Sequence, residues 1–253
     1  MFDPDALDRR DPKLIARALP GLEWIAARYH RLRVDGAALP DGPALLVANH
    51  NGGILGPDLA CTVSMLWRRL GPDAPLYALA HDFVMQQATP IGSVLQRFGA
   101  IRATRDNARR ALAAGAKVLV YPGGDLDAYR SFARRHEVVI RPRRGFAAIA
   151  RDAGVPIVPI VARGAHTSGM ILTEGAAIAR ALRMPRWARL ERFPIALALP
   201  WGLALGPWLP YLPLPFAISL RVLPPITIAP DEDADDAAGR VERAMQDAME
   251  AMC

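Results

Sequence analysis

The chain is poor in several features that organise other proteins. Two cysteines, Cys61 and Cys253, in 253 residues cannot build a disulfide framework, and a reducing compartment fits. The sequence has no Cys/His spacing of the zinc-finger kind, no aromatic strand of the RNP kind and no recognition-helix pattern. Nucleic acid is therefore the weakest of the partners its charge allows. No Gly-x-Ser-x-Gly elbow is present, which removes the usual ester-hydrolase nucleophile. Met1 to Pro12 is charged and polar with no apolar stretch behind it, which argues against a signal peptide. No metal-ligand cluster, internal repeat or low-complexity tract stands out. Lysine is nearly missing: Lys13 and Lys117 are the only lysines among 31 basic residues.

What the chain does have is apolar bulk and arginine. It is 52% hydrophobic, with a formal net charge of +6 and a pI near 9.9, so it can bury a sizeable core. Arginine suits bidentate grip on phosphate and carboxylate. A basic surface of this kind faces an anionic membrane or an anionic small molecule.

Residues 1–33 read as an amphipathic helical arm. Asp11-Pro12 is a helix start, and Leu14, Ile15, Ala18, Leu19, Leu22, Ile25 and Ala26 recur at helical spacing. Pro20 is expected to break or restart that helix. From residue 34 strands and helices alternate. Strands are expected at 33–34, 44–48, 76–80, 100–102, 117–121, 157–161 and 219–222, and helices at 57–70, 91–98, 105–114, 145–153 and 236–252. This alternation predicts an α/β fold for 34–253, with a mostly parallel central sheet flanked by helices. Loops leaving parallel strands gather at one edge, where such folds bind ligands.

Phe193 to Leu220 has no charged residue but carries six prolines, Pro194, Pro200, Pro207, Pro210, Pro213 and Pro215. One continuous membrane-spanning helix is excluded by that proline density. The segment reads as a folded apolar loop, with Trp201, Trp208 and Tyr211 suited to a headgroup layer and arginines on both flanks. It is expected to touch a membrane from one side.

Asn49-His50 leaves the apolar run Ala44–Ala48 and opens a turn at Asn51-Gly52-Gly53. Histidine takes a proton near neutral pH, and a carboxylate can hold its tautomer. Asp58 is the candidate. Seven residues separate it from His50, so it either returns to the ring or serves only as a helix-start carboxylate stabilised by the helix dipole.

Three further segments follow: Phe98-Gly99-Ala100-Ile101-Arg102-Ala103-Thr104-Arg105, Val118-Leu119-Val120-Tyr121-Pro122-Gly123-Gly124-Asp125, and Val155-Pro156-Ile157-Val158-Pro159-Ile160. With Asn49-His50, and in this order, they resemble the four blocks of the glycerolipid (lysophospholipid) acyltransferase superfamily, the PlsC-like fold. The resemblance covers roughly residues 40–228. It is similar in particular to a bacterial branch related to monoacylglycerol and diacylglycerol acyltransferase-like proteins.

The resemblance implies His50 as general base and Asp58 as its orienting carboxylate. Arg105, with Arg102 as runner-up, would grip an acceptor phosphate. Asn49, Gly123, Gly124, Asp125, Arg130 and Arg144 complete the expected substrate contacts, with Asp125 accepting from a hydroxyl or from Arg130. Backbone amides near Gly123-Gly124 could stabilise an oxyanion. The spacing of four residues between histidine and aspartate usual in relatives is seven here. The Glu-Gly-Thr-Arg-Ser of phosphate-using relatives is replaced by Gly-Gly-Asp, which leaves neutral glycerides or other alcohols open as acceptors.

The expected activity is membrane-associated O-acyl transfer at the cytoplasmic face, from an acyl-CoA or acyl-carrier-protein thioester to a lipid hydroxyl. No cofactor beyond that co-substrate is expected. A non-catalytic lipid-binding module and a lipid ester or thioester hydrolase are the alternatives.

Overall fold

The computed structural model describes residues 2–51, 56–82, 84–85, 89–140, 144–198, 201–206 and 214–252. Its strands are β1 (Arg33–Gly36), β2 (Ala44–Ala48), β3 (Leu76–Ala80), β4 (Ala100–Arg102), β5 (Lys117–Val120), β6 (Ile157–Arg163), β7 (Met170–Thr173), β8 (Ile195–Ala198), β9 (Gly202–Leu205) and β10 (Ser219–Val222). Its α-helices are α1 (Pro12–Trp24), α2 (Pro57–Leu70), α3 (Thr89–Arg97), α4 (Arg105–Ala113), α5 (Gly124–Ala128), α6 (Gly145–Ala153), α7 (Ala176–Ala181), α8 (Met184–Trp187) and α9 (Ala234–Ala251).

The central sheet has seven strands in the order β1-β10-β6-β2-β5-β3-β4. From β6 to β4 every neighbouring pair is parallel, while β10 runs antiparallel to β6. The fold is thus the mostly parallel α/β sheet expected from the alternation.

The central strands are continuously apolar because both of their faces are covered. All five residues of β2 are buried. Leu45 and Val47 point into one layer with Val118, Ile157 and residues of α4, α6 and α9. Ala44, Leu46 and Ala48 point into the other, against α1 and α2. The period of two along the strand thus divides one apolar run between two cores.

The N-terminal arm packs on this domain rather than standing apart. Asp11 caps α1 by accepting from the Leu14 N–H at 2.9 Å, and Ile15 and Ala26 are buried in the α1–α2 layer. The expected break at Pro20 does not occur. Helix α1 runs through Pro20 to Trp24 and continues as a π-helical turn over Ile25–Tyr29. Pro20 lies on the exposed side, where the carbonyl it leaves unbonded can meet water.

A second correction concerns 193–220, expected to be a loop. Its described part includes β8 and β9, which join β7 in an antiparallel sheet of order β7-β8-β9. The register pairs Ile171 with Ala196 and Ala196 with Ala204, and these three side chains face inward onto Ala128 and Tyr129. The opposite row pairs Ile195 with Leu205 and Leu197 with Leu203, facing outward. Leu203 is 62% exposed, Leu205 50% and Trp201 63%. Pro200, Pro207, Trp208, Pro210, Tyr211 and Pro213 lie outside the described residues.

Candidate active site

Strand β2 ends at Ala48, and its direction is prolonged by side chains. Asn49 mimics the next rung of the β2–β6 ladder: its Nδ2 donates to the Ala162 carbonyl at 3.0 Å and its Oδ1 accepts from the Ala162 N–H at 2.7 Å. Asn51 donates to the same carbonyl at 3.1 Å and accepts from the His166 N–H at 2.7 Å. His50 is held between two anchored asparagines at the carboxyl edge of the sheet.

The imidazole is fixed on two sides. Nδ1 lies 3.1 Å from Asp58 Oδ2, the oxygen that also accepts from the Asn51 N–H at 3.2 Å. Asp58 is fully buried in the first turn of α2, directly after Pro57. A carboxylate there gains from the helix dipole, so the two sequence readings of Asp58 hold together. The His50 ring stacks on Tyr121 with centroids 4.1 Å apart and planes 19° from parallel. Burial, with the Asp58 carboxylate nearby, pushes the Tyr121 phenol well above its ordinary value, so it stays neutral. With Nδ1 on Asp58, Nε2 is the ring nitrogen left to face a substrate.

The backbone of His50 is held by a buried ion pair that the sequence reading missed. Its N–H donates to Asp127 Oδ2, and its carbonyl accepts from Arg130 Nη1 at 3.0 Å. Asp127 and Arg130 are paired with each other one turn apart, both fully buried. Burial pushes the Asp127 carboxyl upward, while Arg130 and the N–H groups of Val139 and His50 pull it back. Removing one member of such a pair strands the other's charge. The sequence signal was the Asp127-x-x-Arg130 step, separated from Gly123-Gly124 by two residues, where Asp125 was the expected partner of Arg130.

The other expected contacts sort differently. Asn49 and Arg130 turn inward to hold main chain. Asp125 is buried and accepts from the Glu191 N–H at 2.5 Å; the carboxylate on Arg130 belongs to Asp127. Gly123 is needed for close packing, since a Cβ there would lie 2.1 Å from the Val139 carbonyl. The Gly124 N–H donates to the Tyr121 carbonyl at 3.1 Å, which commits one of the amides expected to face an oxyanion.

Arg144 caps α6 and pairs with Asp235 of α9. Arg102 is tied to Asp5. Arg105 is exposed at the start of α4, its guanidinium packed over Gly145. Strands β5 and β3 separate β2 from β4, three interstrand steps or roughly 14 Å along the edge. Gly52 and Gly53 of the expected turn lie outside the described residues. Cys61 is buried with its thiol pushed up to about 12 by burial, which makes it inert. No cluster of His, Cys, Asp and Glu able to hold a metal ion occurs among the described residues.

Known proteins share this arrangement of elements. The 1-acyl-sn-glycerophosphate (LPA) acyltransferase PlsC from Thermotoga maritima superposes with a TM-score of 0.56 at 17% identity, covering 95% of this chain and 81% of that one. That level of identity establishes a shared fold. An uncharacterised protein of Mycobacterium tuberculosis is 30% identical over 196 residues, 74% of this chain and 54% of the relative. The human "DGAT1/2-independent enzyme synthesizing storage lipids" is 27% identical over 225 residues, 87% of this chain and 61% of its own length. The chain thus spans little more than half the length of the curated relatives it matches. The acyltransferase family model matches residues 31–163, a stretch that holds His50, Asp58, Asp127 and Arg130 together, and the chain belongs to that family.

Proposed function

We propose that the protein moves a fatty acyl chain from an acyl thioester, carried by CoA or acyl carrier protein, to a hydroxyl of a lysolipid or glyceride at a membrane surface. The observation that carries this reading is the contact of His50 Nδ1 with buried Asp58 Oδ2 at 3.1 Å, inside a family of acyltransferases. Asp58 accepts from Nδ1–H, so Nε2 carries the lone pair. Nε2 takes the proton of the acceptor hydroxyl as its oxygen attacks the thioester carbonyl. The imidazolium, stabilised by Asp58, then gives that proton to the departing thiolate, and the ester C–O bond replaces the C–S bond.

Membrane association has separate support. The outward row Ile195, Leu197, Leu203 and Leu205 makes an apolar face, and Trp201, directly before β9, is exposed as well. Arg180, Arg183 and Arg186, on and between α7 and α8, supply positive charge in the segment between β7 and β8. Among the described residues no helix is long and apolar enough to cross a membrane, and we propose contact from one side, at the cytoplasmic face.

The test is lipid mass spectrometry of cells expressing wild type or His50→Ala, with turnover of labelled acyl-CoA by the purified proteins. His50→Ala is expected to lose about 10²–10⁴ in rate with its circular dichroism unchanged. Near wild-type ester formation by the variant would overturn the assignment. Asp58→Asn is expected to lower kcat on a comparable scale while KM stays near its starting value, because the lost tautomer control acts in the transition state.

A further inference from the structure

A cavity of about 390 Å³ opens next to His50 on the β6 side, lined among others by Asn51, Arg33, Arg135, His136, Arg163 and His166. That volume lies within the roughly 300–1,000 Å³ typical of small-molecule sites. Among the described residues no acidic side chain lines it. Its floor is set by register. Arg33 of β1 pairs with Ser219 of β10, and Ser219 pairs with Arg163 of β6. Side chains in register on adjacent strands share a face, so two guanidinium groups flank one hydroxyl, their Cα atoms roughly 10 Å apart.

Arg135 is presented by the short turn after α5, where it stacks on Phe132 at 4.5 Å. Among the described residues Arg33, Arg135 and Arg163 form no ion pair with a carboxylate; Arg163 donates to the Met252 carbonyl. His166 is 1% exposed and neither ring nitrogen has a hydrogen-bond partner among the described residues. Burial and the nearby guanidinium charges of Arg130 and Arg135 hold it neutral. A buried histidine left unpartnered is costly in a folded protein and asks for an occupant.

We propose that this cavity is a phosphate-binding subsite, in which Arg33, Arg163 and Arg135 neutralise the anion and His166 donates a hydrogen bond. The proposal deepens the acyl-transfer reading and rests on it for the ligand's purpose. The phosphate grip missing from Tyr-Pro-Gly-Gly-Asp is rebuilt on the opposite flank of His50, from residues outside the four sequence blocks. Because Asn51 lines the cavity and adjoins His50, an anion seated there lies close to the base. A hydroxyl a few bonds from a phosphate fits that spacing, as in a glycerophosphate headgroup. The phosphates of a nucleotide-bearing thioester offer the same chemistry from the donor side.

Calorimetry on the full chain separates the two sources without any turnover. The probes are sn-glycerol 3-phosphate for the acceptor side and coenzyme A for the donor side, each titrated into wild type, Arg33→Gln and Arg163→Gln. For the probe that seats, each substitution is expected to raise Kd about tenfold or more, since a charge-assisted hydrogen bond is lost. Sensitivity of glycerol 3-phosphate assigns the subsite to the acceptor, and sensitivity of coenzyme A assigns it to the donor. Arg33 is exposed, so Arg33→Gln keeps the test sound even where Arg163→Gln disturbs the bond to Met252. No millimolar binding of either probe, or binding that both variants leave unchanged, overturns the proposal. Acyl transfer by a protein whose variants bind normally would keep the catalytic reading and discard this one.

Discussion

The two sheets use leucine in opposite ways. In β2, Leu45 and Leu46 point to opposite faces and both are wholly buried, because helices cover the sheet above and below. In β9, Leu203 and Leu205 share the outward face and stay exposed, while Ala204 between them turns in against Ala128 and Tyr129. The residue type is the same, but β2 is a central parallel strand covered on both faces and β9 an antiparallel edge strand covered on one. An apolar residue in a strand therefore reports a core only where a partner layer exists. Where none exists, a row of leucines with tryptophan and arginine at its rim is what a lipid surface would receive.

The sharpest way to break this comparison is to cut what joins the two regions. Asp127→Asn should destabilise the fold by about 3–5 kcal/mol, because Arg130 is then buried without its counter-charge. Urea unfolding measures it, and a loss under 1 kcal/mol would mean that the pair is not the clamp inferred here. Next in size is the leucine contrast itself. Leu46→Ala should cost about 2–5 kcal/mol, and Leu203→Ala should stay within about 0.5 kcal/mol. Equal costs would mean that the outward face is covered in solution.

Smaller is the effect on lipid. Leu203→Asn with Leu205→Asn should weaken partition onto phosphatidylglycerol vesicles by about tenfold or more, with the melting temperature unchanged. Unaltered vesicle flotation would remove this face from the membrane. Smallest is charge. Arg186→Gln should weaken binding to anionic vesicles by about 1 kcal/mol and leave binding to neutral vesicles alone, an effect that high salt erases.

Much of the scaffold was legible in the sequence because its periodicities are clean. Strands β2, β3, β4 and β10 and helices α2 and α6 occupy the residues expected of them. The Asn49-His50 step at the end of β2 and the carboxylate at Asp58 were legible too, and the longer spacing still returns Asp58 to the ring. The stretch 195–205 was not. Proline and glycine at its ends argued for a loop, and alternation is invisible when inward alanine and outward leucine are both apolar. The residues that grip the His50 backbone were also hidden. Asn49 looked like a substrate ligand because nothing in one sequence says that its side chain extends a ladder to Ala162. Asp127 lies in a five-residue helix too short to leave a periodic signature, and Arg130 follows just beyond its end. The cavity beside His166 depends on Arg33, Arg163 and Ser219, residues from three distant strands that only the register brings into line.

Helix α5 has one more consequence. Its Asp127 holds the main chain of His50, and the next residues, Ala128 and Tyr129, carry the inner face of the small sheet. These contacts sit on successive residues of one segment, so a single short strut connects the His50 main chain to the small sheet. The height of His50 above any surface on which those leucines rest is then a constant of the fold. In the proposed reaction that height acts as a depth gauge: a lipid hydroxyl would meet His50 only where its lipid presents it at that level.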